Sequence, residues 1–396
     1  MKVGFVVQCY GREVNGGAEQ ECRDVAERMA KHWNVEVLTT CAVDYVTWRD
    51  EYRPGEEVLH DVRVRRFPVD APRDLAAFNR LSERVFGGGR GRAEEEAWMR
   101  AQGPYSSPLL AHLRDHGADY DWIIYFTYLY ATTYYGLALT TERSLLVPTA
   151  HDEPPIYLGI FHNMFRRPRA FIFNTVQEQA FINRRFGTVD RPQDVVAVGV
   201  EPDVTADAGR FRRAHGGRVG DSPFILYVGR IDPSKGCDHL FEYFLRYRRE
   251  VPGRPVRLVL AGKPVMPVPD SPDIVALGFV SDEMKFDALA AARLAVVPSP
   301  YESLSIVALE AWHTGRPVLV NGRCEVLRAQ CLRSNGGLWY GGYDEFCAAL
   351  SLLLDRAEAR EALGRAGQRF VAEHYRWSVV EEKYRAMIDR LGRVVA

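Results

Sequence analysis

Phe224-Ile225-Leu226-Tyr227-Val228-Gly229-Arg230-Ile231-Asp232-Pro233-Ser234-Lys235-Gly236 opens with five apolar residues and runs into a glycine-bounded loop that carries two cations. Five apolar residues in a row, without alternation, read as a strand buried on both faces. The amphipathic stretch 237–249 behind the loop reads as a helix and 257–261 as the next strand. That order is a βαβ unit, so the fold class is α/β with a parallel sheet. Downstream the pattern continues with strands at 274–277, 294–297 and 317–320 and helices at 282–292 and 305–314, followed by helices at 343–354, 358–374 and 378–391. Upstream it occurs once more: strand 2–7, a glycine-containing loop, helix 18–31 and strand 35–39, then strands at 62–67, 122–126, 144–147, 170–173 and 195–198. Between the two halves, 202–221 is polar and rich in Gly, Arg and Asp, and reads as a linker with one short helix. The expectation is two doubly wound domains, 1–200 and 201–375, with a helical tail at 376–396. The carboxyl ends of both sheets should face a central cleft, where ligands of open α/β sheets bind. The glycine-rich patch 87–92 reads as a mobile loop.

Composition narrows the function. The 396 residues carry 51 Lys plus Arg against 52 Asp plus Glu, a net charge of -1, so no overall field gathers nucleic acid or an anionic bilayer. No stretch approaches the roughly 18 to 20 consecutive apolar residues of a membrane-spanning helix, and 1–8 is too short for a signal-peptide core, so the expected location is cytoplasmic. Seven scattered cysteines, an odd number without a CxxC pair, imply reduced thiols and no structural zinc. Lysine occurs only at 2, 31, 235, 263, 285 and 383, and every other cation is arginine. A compact ammonium on a flexible stem differs physically from a guanidinium fork, so each of these six positions is a candidate for a distinct role.

Two loops carry candidate chemistry. Arg230 and Lys235 lie together beyond a carboxyl strand end, an arrangement that fits a diphosphate; a salt-bridged surface Arg230 is the plainer reading. In Ser299-Pro300-Tyr301-Glu302-Ser303-Leu304-Ser305-Ile306-Val307-Ala308-Leu309-Glu310, the prolines end a strand and Ser303 or Ser305 offers an N-cap. The amides of Leu304, Ser305, Ile306 and Val307 would then point at an anion, with Glu302 before the helix and Glu310 about 7.5 Å along it, one carboxylate to each side. A capped helix with two surface glutamates is the alternative. Lys263, in Ala261-Gly262-Lys263-Pro264, could line the same cleft or sit on the surface.

These residues resemble a known family. Glu302 to Glu310 is similar to the E-x7-E signature of retaining glycosyltransferases of family 4 (glycosyl transferases group 1) with the GT-B fold, and Gly229-Arg230 through Lys235-Gly236 to their G-R-x-x-x-x-K-G phosphate loop. Gly16-Gly17-Ala18-Glu19 matches their GGAE loop, so the resemblance covers nearly the whole chain. It implies two Rossmann-like domains, a C-terminal helix crossing back to the first, and transfer of a sugar from a nucleotide-diphosphate sugar to a hydroxyl with retention. By resemblance Arg230 and Lys235 hold the donor diphosphate, Glu302 contacts hydroxyls of the transferred sugar, Glu310 holds the ribose, and Gly278, Phe279 and Val280 meet the base by main-chain groups. His151, in Thr149-Ala150-His151-Asp152-Glu153, matches the histidine over the anomeric region; otherwise it is a helix-capping loop residue. Gly16 and Gly17 would approach donor phosphate or acceptor through bare backbone. Where many relatives have Gly-Phe-Gly, this chain has Ser303-Leu304-Ser305, so the fit of the donor sugar is open.

No metal or other cofactor is expected, because two cations and a helix terminus answer the charge of the donor. The acceptor stays open among glycan, lipid-linked and small-molecule hydroxyls. Tyr125-Phe126-Thr127-Tyr128-Leu129-Tyr130 and Tyr134-Tyr135 suit sugar faces or core packing alike. Arg166, Arg167 and Arg169, interleaved with Phe161, Met164 and Phe165, suit peripheral contact with the inner face of a membrane, or a solvated helix end. The rival functions are a nucleotide-sugar epimerase or phosphorylase and a non-catalytic nucleotide-binding module. A dehydrogenase is disfavoured, since neither first loop has G-x-G-x-x-G. Oligomeric state leaves no trace in the sequence.

Overall fold

The computed structural model describes residues 1–14, 16–88, 91–201 and 205–395. The chain divides into two compact units, residues 1–199 with 380–396 and residues 200–379. Gly89 and Arg90 of the glycine-rich patch and Pro202, Asp203 and Val204 of the expected linker lie outside the described residues.

The first unit is built on an eight-stranded sheet of β1 (Lys2–Val6), β2 (Asn34–Thr40), β3 (Gly55–Leu59), β4 (Val62–Phe67), β5 (Trp122–Phe126), β6 (Ser144–Val147), β7 (Ala170–Phe173) and β8 (Gln193–Val195), in the order β3-β4-β2-β1-β5-β6-β7-β8. Only β3 is antiparallel, pairing with β4 at the edge. β1 lies between β2 and β5 with Phe5 opposite Val37 and Ile124, all three fully buried. β5, β6 and β7 are buried along their whole length, which is why they read as apolar runs. The last helix, Trp377–Val395, belongs to this unit from Val380 onward.

The second unit is a six-stranded, wholly parallel sheet: β9 (Phe224–Val228), β10 (Arg257–Ala261), β11 (Ile274–Gly278), β12 (Leu294–Val297), β13 (Val318–Asn321) and β14 (Gly337–Tyr340), in the order β11-β10-β9-β12-β13-β14. Numbered within the unit, this is 3-2-1-4-5-6, the doubly wound nucleotide-binding order, whose reversal lies between β9 and β12. Ile225, Leu258 and Leu294 on the sheet pack with Leu240, Phe244, Phe346 and Leu350 from the covering helices.

Three expectations need correction. The strand expected at 195–198 lies at Gln193–Val195, because Ala197 adopts φ 64 and Val196 and Ala197 both send their amides to the carbonyl of Phe173. The expected linker holds the three-turn helix Ala208–Val219, started by Asp207 accepting the amide of Gly209. The basic stretch 161–169 has its apolar members turned inward: Phe161, Met164 and Phe165 are fully buried, which leaves none of the three for lipid. Among the described residues no helix is long and apolar enough to cross a membrane.

Candidate functional site

The chain leaves β9 toward β10 on one side and leaves β12 toward β13 on the other. Loops that part in this way open a crevice at the carboxyl ends of the two strands. The first loop, Gly229 to Gly236, carries Arg230 and Lys235; the second, after Pro298, carries Glu302 and leads into the helix Ile306–His313. The loops touch at Gly236, whose φ is 73 and where a Cβ would lie 2.4 Å from the carbonyl oxygen of Pro298, so only glycine fits. A similar contact fixes the next strand end, since a Cβ on Gly262 would meet the Gly229 carbonyl oxygen at 1.8 Å.

That contact brings Lys235 to Glu302, Nζ to Oε1 at 2.9 Å. Arg230 donates from Nε to Asp232 at 2.9 Å, while its carbonyl accepts the Tyr227 hydroxyl at 2.6 Å. Asp232 is held below the usual carboxylate range: burial opposes this, but the Ser234 amide and the Arg230 guanidinium outweigh it. Both loop cations are thus partly exposed and oriented by carboxylates.

The sequence reading of a side-chain N-cap on the helix does not hold. Ser305 is the N-cap residue, but at φ 65, ψ 81 it is left-handed and its hydroxyl caps nothing. The first amides bonded within the turn are those of Ala308 and Leu309, both to the Ser305 carbonyl, so the amides ahead of them face off the helix end. Nor do the two glutamates flank one anion symmetrically. Glu302 is partly exposed, whereas Glu310 is buried and ion-paired to Lys285 at 2.6 Å. Lys285 also meets Asp282 at 3.0 Å. Burial alone would lower the Lys285 ammonium, yet the Glu310 and Asp282 carboxylates raise it above the ordinary lysine range. Sequence reasoning missed Lys285, Asp282 and Asp232. The scarcity of lysine was the available signal for the first.

Gly278 ends β11, and Phe279 and Val280 follow it. Gly278 has φ 80 and its carbonyl takes the Gly262 amide at 2.8 Å, while the Phe279 ring is 69% exposed. Lys263 contributes its carbonyl to the Ile231 amide at 3.0 Å.

In the first unit, Gly16 caps and Gly17 begins the helix Gly17–Met29. The space beside Gly16 is filled by the Glu19 carboxylate, 1.9 Å from where a Cβ would stand, and Glu19 in turn accepts from Gln8 Nε2 at 2.7 Å. A side chain at Gly16 would have to displace that carboxylate, the mobile end of Glu19. Beside Gly17 the space is open. His151 lies beyond β6 in a loop where Thr149 has φ 48, with Nε2 3.3 Å from Glu153, which also accepts the Tyr128 hydroxyl at 2.8 Å. Tyr125, Phe126, Tyr128 and Tyr134 are all buried and belong to the core.

A doubly wound unit with paired cations and a helix terminus at its switch point is of a nucleotide-binding class. Residues 222–356, which lie within the second unit, match the model of the family described as glycosyl transferases group 1. The chain is 30% identical over 285 residues to a D-inositol 3-phosphate glycosyltransferase of Mycolicibacterium smegmatis, covering 66% of this chain and 63% of that protein. It spans 51 to 63% of the length of such curated relatives. Among solved structures it is similar to a sucrose-phosphate synthase from Thermosynechococcus elongatus, with TM-score 0.73, 18% identity and 99% of both chains covered. It is also similar to Anabaena Alr3699/HepE in complex with UDP and glucose, with TM-score 0.69, 15% identity and 98% and 100% covered. The fold is GT-B, two Rossmann-like domains in one chain.

Proposed function

We propose that the protein is a retaining hexosyltransferase that moves a sugar from a nucleotide-diphosphate sugar to a hydroxyl of a glycan, lipid-linked or small-molecule acceptor. The observation that carries this reading is the meeting of the Arg230/Lys235 loop with the Glu302 loop and its helix N-terminus at the β9/β12 switch point. As the bond from the anomeric carbon to the leaving phosphate breaks, the sugar gains oxocarbenium character and the diphosphate gains negative charge. Arg230, Lys235 and the amides of Leu304, Ser305, Ile306 and Val307 are aimed where that charge grows, without a metal. Glu302 would take hydroxyls of the sugar, and its exchange of Lys235 for the donor frees the lysine for phosphate. The departing phosphate would accept the acceptor's proton on the same face, which gives retention. His151, Gly16 and Gly17 are further residues of this reading, each open to test by substitution.

The relatives' names as glycosyltransferases, and the UDP in the complex of Alr3699/HepE, support a nucleotide donor. A screen of nucleotide sugars for thermal stabilisation and slow hydrolysis tests it, followed by NMR of the first-formed product. Stabilisation by one donor, its hydrolysis, and an unchanged anomeric configuration are expected. Stabilisation by nucleoside diphosphate without turnover of any donor would leave a non-catalytic binding module instead, and an inverted product would remove the retaining assignment.

A further inference from the structure

Lys285 stands on the helix Asp282–Ala291, which begins directly after Gly278, Phe279 and Val280 and is capped by Ser281 accepting the Met284 amide at 3.2 Å. Its ammonium reaches across to the helix Ile306–His313 and meets Glu310 Oε1 at 2.6 Å, with 12% of the lysine side chain and 5% of the glutamate exposed. One contact therefore ties the segment given to the base to the carboxylate given to the ribose.

Of the other charges nearby, only Asp282 shares this contact among the described residues. Glu283 and the fully buried Asp287, on the Lys285 helix, both pair with Arg210 from the helix Ala208–Val219. Asp282 is 75% exposed and shares the Lys285 ammonium at 3.0 Å. On the Glu310 helix, His313 presents its ring to Phe286 at 6.3 Å, and Gln368 from the helix Ala357–His374 reaches the His313 carbonyl. Lys285 is thus the cation that answers Glu310. A carboxylate this deep, without a cation, would give up its charge instead of keeping it. A neutral carboxylic acid has lost half of what makes it a good acceptor for two neighbouring hydroxyls.

We infer that Lys285 is a positioning residue of the nucleotide site, holding the Glu310 carboxylate in the form and direction that accept ribose hydroxyls. The inference rests on reading the second unit as a nucleotide-sugar site. It reaches beyond that reading in making ribose selection depend on a lysine that touches no part of the nucleotide.

The test is calorimetric binding of a nucleoside diphosphate and its 2′,3′-dideoxy analogue to the full chain between pH 6 and 9, for wild type, Lys285→Met, Lys285→Arg, Glu310→Gln and the double variant Lys285→Met/Glu310→Gln. Wild type should prefer the ribonucleotide at every pH. Lys285→Met should lose about tenfold in ribonucleotide affinity at pH 7 and recover it toward pH 9, with the dideoxy analogue bound as in wild type; Lys285→Arg should keep the preference. In the Glu310→Gln background the further loss of Lys285 should change affinity less than twofold, because the lysine acts only through the carboxylate. The double variant removes both charges together, so it stays informative if Lys285→Met alone does not fold. A pH-independent loss for both nucleotides, or an additive double variant, would reduce Lys285 to a structural residue and overturn the inference. Absence of any nucleotide binding by wild type would instead overturn the nucleotide-site reading itself.

Discussion

Both units bury carboxyl groups, and the treatment differs from one group to the next: Glu36 in the first unit meets Lys2 at 3.1 Å and Arg65 at 3.0 Å, whereas two others in that unit stand apart from any cation among the described residues. In the first unit Glu21 and Glu178 are nearly inaccessible and, among the described residues, neither has a cation. Glu21 accepts the Asn174 side-chain amide at 2.9 Å, and Glu178 accepts the backbone amides of Ala150 and Asn174 at 2.6 and 2.7 Å. Burial pushes both up to about 8, against the pull of those donors. In the second unit Glu310 is as deeply placed but faces Lys285, and Glu302 faces Lys235. A carboxyl without a cation keeps its proton and serves as a cross-link between Glu21 on its helix and Asn174 beyond β7. One with a lysine is drawn back toward the charged form: burial raises Glu310, and the Lys285 ammonium opposes that rise. Neither depth of burial nor a paired cation by itself separates architecture from site, since Glu36 and Asp287 are buried and paired as well; what sets Glu302 and Glu310 apart is their place on the loop and helix that follow β12.

The sharpest way to break this contrast is to remove the cations of the second unit. Arg230→Ala and Lys235→Ala should each lower turnover with a nucleotide-sugar donor by about 10² to 10³, the scale of losing one donor to a developing anion. Each should melt as wild type does, since Arg230 and Lys235 are partly exposed and pair locally. Unchanged turnover in either would remove that residue from the diphosphate.

The first unit should instead reveal its carboxyls through pH. The folded state keeps a proton on Glu21 up to about pH 8 that the unfolded chain releases near its ordinary value, so stability is fullest at acid pH and falls as pH rises between the two. One such group contributes a slope of about 1.4 kcal/mol per pH unit. Urea unfolding from pH 5 to 8 should show this decline in wild type and a flatter line in Glu21→Gln, with donor turnover unaltered. Coincident slopes would mean that Glu21 is ionised in the folded protein.

Within the second unit the two glutamates should separate. Glu310→Ala should weaken nucleoside diphosphate binding by about tenfold, close to 1.4 kcal/mol, whereas Glu302→Ala should spare it and lower turnover alone. Calorimetry beside kinetics decides this, and equal loss of nucleotide affinity in both would merge their roles.

How much of this was legible before the structure follows from what each feature depends on. The strands at 224–228, 257–261 and 294–297 fall where the apolar runs placed them, because a buried parallel strand is marked by composition alone. Gly55–Leu59 carries Glu56 and Glu57, which pair with Arg65 and Arg66 of β4, and leaves Val58 exposed, so this edge strand has no apolar pattern to announce it. Gly337–Tyr340 is short and starts on Gly337 directly after Gly336, a glycine pair that reads as a turn. Arg230, Lys235, Glu302 and Glu310 were visible because the glycine-bounded loop and the helix start that carry them are local in sequence. The Lys285 and Glu310 pair joins two helices 25 residues apart, and nothing local announces it. Ser305 was misread for a related reason: its residue type suggests a cap, while its left-handed backbone turns the hydroxyl away from that role.

That backbone gives the smallest effect and the finest comparison between caps. Ser281 and Ser305 both precede helices of the second unit, but Ser281 is extended and accepts the Met284 amide, while Ser305 is left-handed and caps nothing. Ser281→Ala should cost about 1 kcal/mol, the usual loss for an N-cap. Ser305→Ala should cost almost nothing, since both side chains suffer the same crowding at φ 65 and no hydrogen bond is lost. Ser305→Gly should stabilise: a left-handed L-residue costs roughly 1 to 2 kcal/mol, and the greater freedom of glycine in the unfolded chain returns part of it, leaving a gain of about 0.5 to 1 kcal/mol. Glycine at this position is also what many relatives of the resembled family carry, so the gain would identify their residue as a backbone requirement before any effect on the donor sugar. Paired urea curves for the three variants measure it. A loss of stability in Ser305→Gly would show that the serine hydroxyl, and not the shape of the turn, holds the loop that leads into the helix.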